Sequence, residues 1–128
     1  MATSTTSSRE SDKVITLRVG DRTFTTRLGT LTEGSSFLAA KFSDRWNAND
    51  TVGDVPFLDA DGEAFAHVLE YLRNQSYPLL WDAKEKTLDV GLYARVAALA
   101  RYLMIDGLAK WIDCGKYVAK SHRGLTVC

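Results

Sequence analysis

Two histidines, two cysteines and two prolines are all that this chain of 128 residues holds of those types, and each scarcity removes a class of function. Proton-transfer catalysis draws most often on histidine. His122 falls in a polar C-terminal stretch, and His67 lies beside the apolar stripe of a helix, where a structural or surface role is expected. No Gly-x-Ser-x-Gly elbow and no Gly-rich turn ending in Gly-Lys-Ser/Thr is present, so neither a hydrolase triad nor a phosphate loop is supported. His67, Cys114, His122 and Cys128 lack the tight spacing of a structural zinc site. Two cysteines are also too few for a disulfide scaffold, and both are read as free thiols of a reducing compartment.

Charge of one sign is missing as well. Sixteen Lys plus Arg against sixteen Asp plus Glu leave a net charge of zero, so no global field draws in nucleic acid or an anionic membrane. The longest purely apolar run, Val96 to Ala100, is far short of the roughly 20 residues of a membrane span. Residues 1–10 contain no apolar stretch, so no secretory leader is expected. The expectation is an intracellular protein, cytoplasmic or nuclear, with no catalytic residues, no metal and no other cofactor. The acidic group Asp59, Asp61, Glu63 and Glu70 resembles a calcium loop only superficially. Gly62 is fourth from Asp59 rather than sixth, and a helical stripe runs through the segment.

What is present is hydrophobic periodicity. Residues 1–12, rich in Ser and Thr, are expected to be a disordered tail. From Val14, alternation of Ile15, Leu17 and Val19 with polar neighbours predicts a strand. Gly20-Asp21 then turns the chain into a second strand through Thr23 to Thr26, a β-hairpin in which Gly20 supplies the positive φ. Leu28 and Leu31 close the hairpin region. Ser35 is placed to cap a helix from Ser36 to Ser43, with Phe37, Leu38 and Phe42 inward. Residues 44–54 read as a loop, and Val55 to Leu58 as a short strand whose Pro56 marks a strand start or an edge.

Phe65, Val68, Leu69 and Leu72 form one stripe of a helix, with acidic residues in its first turn and Arg73 in its last, both favoured by the helix dipole. Leu79, Leu80 and Trp81 are read as an apolar cluster in a connection. Two helices follow, from about Asp89 to Tyr102 and from Asp106 to Cys114, with Leu92, Val96, Leu99, Leu103, Leu108, Trp111 and Ile112 inward. Residues 115–128 read as a flexible tail. Early clustered strands followed by helices predict an α+β domain over residues 13–114. Trp46 in the loop, and Tyr77 with Trp81 in the connection, stand apart from the core stripes as plugs of small satellite cores or as anchors for a partner.

Several segments, in order, resemble the BTB/POZ family in its potassium-channel tetramerisation (KCTD-like) branch. They are Val14 to Thr26, Leu28 to Leu31, Ser36 to Phe42, Phe57 to Phe65, Val68 to Arg73 with Pro78-Leu79, and Ala97 to Leu108. Asp21 stands where the family usually has a second Gly, and Ala60 where it commonly has Arg. The resemblance implies a BTB/POZ fold, a small three-stranded mixed sheet covered by about five helices. It implies protein binding through homo-oligomerisation, in rings of four or five subunits. Arg18, Arg27, Lys41, Asp59, Asp61 and Arg73 are the candidates for the subunit interface. The resemblance also implies an alternative role, a substrate adaptor docking on a cullin scaffold of a ubiquitin ligase, through Phe42, Asp44, Arg45 and Trp46.

Overall fold

The computed structural model describes residues 12–43, 51–53 and 55–115; the expectations for the two tails and for residues 44–50 lie outside the described residues. The chain forms two compact units, residues 1–62 and 63–128. The first holds a mixed four-stranded sheet and two helices. The hairpin is as expected: β1 (Val14–Val19) and β2 (Arg22–Arg27) pair antiparallel, Leu17 opposite Phe24. Leu17 and Val19 are fully buried while Thr16 and Arg18 are not, the alternation that a sheet with one covered face produces. Gly20 takes φ +59° in the turn, where an L side chain would be strained.

Residues 28–34 depart from expectation. They form helix α1 (Leu28–Gly34), which carries no side-chain cap. Gly29 and two threonines are weak helix formers, so the segment reads poorly as a helix. Burial of Leu31 at its centre gives tertiary packing to hold it. Helix α2 (Ser36–Ser43) follows after Ser35, whose hydroxyl accepts from Leu38 N–H at 3.1 Å as the cap requires. Leu38 is buried; Phe37 and Phe42 are only half-buried, less than their inward assignment implied.

The stretch read as a loop contains a two-residue strand, β3 (Thr51–Val52), paired antiparallel with β4 (Val55–Leu58). The sheet order is β2-β1-β4-β3, so among the described residues the sheet gains a fourth strand and β4 is interior. Pro56 is tolerated there because the parallel ladder to β1 begins only at Phe57, opposite Arg18.

The second unit is helical. Helix α3 (Gly62–Asn74) buries Phe65, Val68, Leu69 and Leu72 along the predicted stripe, each such side chain contributing about 1.5–3 kcal/mol. The supposed connection is a two-stranded ribbon of β5 (Trp81–Asp82) and β6 (Thr87–Leu88). Asp82 Oδ1 accepts from Lys84 N–H and Glu85 N–H and ties its turn. Helix α4 (Val90–Tyr102) starts at Asp89, which accepts from Leu92 N–H at 3.0 Å. Helix α5 (Asp106–Asp113) buries Leu108 and Ile112, with Trp111 half-buried.

Candidate protein-interaction surfaces

Three of the six residues assigned to a subunit interface belong to one end of the sheet. β1 and β4 run parallel, so both end on the same side. Gly20 N–H donates to Leu58 O at 3.0 Å. A Cβ on Gly20 would meet Ala60 O at 2.5 Å, and one on Gly62 would meet Val19 O at 2.7 Å. The hairpin turn and the Asp59-Ala60-Asp61 segment are therefore locked backbone to backbone, at a separation only glycine permits. Arg18 reaches the same turn, its Nε donating to Gly20 O at 3.1 Å. A cation and two carboxylates thus decorate a rigid edge, and charged groups pre-positioned in this way give an interface its register.

The others lie elsewhere. Arg27 is paired with Val14 at the opposite end of the sheet, where its guanidinium donates to Asp12 O at 3.1 Å and approaches the Asp12 carboxylate at 3.9 Å. Lys41 sits in the last turn of α2, and Arg73 in the last turn of α3 in the second unit. Of the docking residues, Asp44, Arg45 and Trp46 lie outside the described residues. Phe42 borders an open cleft of about 410 Å³ between α1 and α2, lined also by Leu28, Thr32, Ala39 and Ser43.

The second unit shows features that sequence reading missed. Tyr71, Tyr77 and Trp111 form a stack, with centroids 5.4 Å apart for the tyrosines and 4.5 Å for Tyr77 and Trp111. Burial holds the Tyr71 phenol above its ordinary pKa of 10.0, and the charge and hydrogen bond of Tyr77 push the same way. Tyr93, 1% exposed, donates its hydroxyl to Pro78 O at 2.7 Å and accepts from Leu80 N–H at 3.0 Å. It pins the strand entry so that Leu80 is buried while Leu79 and Trp81 face out. A helical wheel places Tyr93 inward but cannot show what its hydroxyl bridges.

Cys114 is disulfide-bonded, with its partner outside the described residues. This corrects the expectation of a free thiol: cysteine count argues against a scaffold of many bridges but not against a single one. The argument from cysteines to a reducing compartment falls with it. Among the described residues no group of three His, Cys, Asp or Glu is placed to hold a metal ion, and no helix is long and apolar enough to cross a membrane.

A family profile described as BTB/POZ domain matches residues 15–91. The human BTB/POZ domain-containing protein KCTD21 is 40% identical over 76 residues, 58% of this chain and 29% of that protein. The mouse potassium channel regulatory protein is 42% identical over 62 residues, 48% of this chain and 24% of that protein. The chain therefore matches less than a third of these relatives' lengths. Among solved structures, the BTB domain of zebrafish PATZ1 superposes with a TM-score of 0.56 at 14% identity, covering 77% of this chain and 70% of that one, a likeness of fold.

Proposed function

The chain belongs to the BTB/POZ family, in its KCTD-like branch, and from that premise we propose that it acts by binding other copies of itself, in closed rings of four or five, and not as an enzyme. BTB/POZ domains are protein–protein interaction domains, and the family match over residues 15–91 is the observation that carries the reading. The sheet end supports it: Arg18, Asp59 and Asp61 stand on backbone that cannot shift without breaking the Gly20 and Gly62 contacts. A closed ring needs two different surfaces that meet head to tail. Arg27, Lys41 and Arg73 are proposed as further contacts at other places on the surface. An intracellular, cytoplasmic or nuclear location belongs to the same proposal and rests on family membership alone. Light scattering on the purified chain at tens of micromolar tests the idea. The expected mass is four or five times that of one chain, and a single-chain mass refutes it.

A second reading, adaptor for a cullin-based ubiquitin ligase, draws support from the cleft beside Phe42. Its opening between two short helices suits an apolar side chain of a partner helix, and Asp44, Arg45 and Trp46 directly follow in sequence. A pull-down with a cullin amino-terminal region is expected to retain the wild type and to lose Phe42→Ala. Failure of the wild type to bind ends this reading and leaves the first intact.

A further inference from the structure

The solvent side of the second unit carries apolar surface that its core does not use. The ribbon pairs Trp81 with Leu88. Asp89 N–H, donating to Leu80 O at 2.9 Å, carries that register one step on, so Leu79 stands opposite Val90. Residues directly opposite share a face of the sheet and next neighbours alternate. Leu79, Trp81, Leu88 and Val90 therefore occupy one apolar face, of which Leu88 alone is buried in the core. Leu79, Trp81 and Val90 remain 53%, 52% and 59% exposed.

Val90 is also the first residue of α4, and the face continues along that helix. Its outward positions include Val90, Ala94, Ala98 and Tyr102, which fall within roughly 120° of arc at 3.6 residues per turn. Tyr102 at the far end is 52% exposed. Both arginines on the outward arc are paired within the chain. Arg95 Nη2 lies 2.9 Å from Glu63 Oε1, and Arg101 Nη1 lies 2.8 Å from each Asp113 oxygen.

We infer that this face, from Leu79 and Trp81 along α4 to Tyr102, is a seat for a second copy of the chain. The inference rests on the self-association proposed above and names a surface for it. Charge selects the occupant. Contacts between copies risk setting like charges together, and here each helix arginine is already neutralised by a carboxylate of its own chain. A strongly acidic or basic partner finds no complementary charge on α4. Area agrees. Half-exposed side chains of these sizes leave on the order of 400 Å² of apolar surface, the scale that marks an interaction site. With the ion-paired arginines as a polar rim, the face approaches the roughly 800 Å² per partner of a standard interface.

The test is light scattering on the full chain as wild type, Ala98→Glu and Trp81→Ser, with circular dichroism to confirm native helix content. A multimeric wild type whose folded variants fall to the mass of one chain is the expected result. Should Ala98→Glu lose its fold, Trp81→Ser, outside any helix, carries the comparison. A multimeric wild type whose folded variants keep their mass overturns this inference and leaves self-association standing. A wild type that is itself a single chain takes down both.

Discussion

Removing one oxygen atom from the second unit is the sharpest test of how its outward face is held. Tyr93→Phe keeps the ring, which is buried and lies 6.3 Å from Trp111, and deletes the hydroxyl that bridges Pro78 O at 2.7 Å and Leu80 N–H at 3.0 Å. Two hydrogen bonds vanish, and the Leu80 amide, on a residue 5% exposed, is left without that acceptor. At about 1 kcal/mol for each net bond, with the added penalty of a buried orphan donor, the loss should be about 2–3 kcal/mol. That is a large share of the roughly 5–15 kcal/mol of a typical domain. A denaturant titration followed by circular dichroism should show the midpoint falling with an unchanged slope. Amide exchange at Leu80 should accelerate beyond the change at core amides of α3. A loss under about 0.5 kcal/mol, the scale of an ordinary surface change, refutes the argument that this phenol fixes the strand entry.

Gly20→Ala should cost about 1–2 kcal/mol from its left-handed backbone alone, and more because the new methyl meets Ala60 O at 2.5 Å; the same titration reads it. Asp89→Ala removes the cap of α4 and should lower stability by about 1 kcal/mol, while Asp89→Asn or Asp89→Ser recovers most of it. The raised pKa of Tyr71 gives an alkaline signature. Its unfolded form ionises near 10.0 while the folded phenol stays neutral, so stability is full below that pH and falls as pH rises toward the folded value. Tyr71→Phe should flatten this decline in midpoints measured across the alkaline range, and an unchanged slope argues against the burial of that phenol.

Legibility in the sequence followed the range of the interaction. The capped helix after Ser35, the stripe of α3 and the hairpin around Gly20 are written in residues within one or two turns of each other, and each is found where it was read. Helix α1 was missed because its local propensity is poor and its stability comes from burying Leu31. β3, β5 and β6 were missed because a strand of two residues has no period of its own and exists through its partner. The candidate surfaces divide in the same way. Arg18, Asp59 and Asp61 were named from a family likeness, but their convergence depends on β1 and β4 lying side by side. Arg27 was named with them and lies at the other end of the sheet.

By itself the sequence determined the order of the main helices and the hairpin, because periodicity, caps and turn residues act between near neighbours, and the likeness of its ordered segments to known relatives determined the family. Only the tertiary structure decided which apolar side chains stay in water. Trp81 stands apart from the core stripes already in the sequence, but its exposure is not written there, and Leu79, Val90 and Tyr102 read like any other hydrophobic residues. Burial is settled by what lies across from a side chain, and for these four most of that space is solvent.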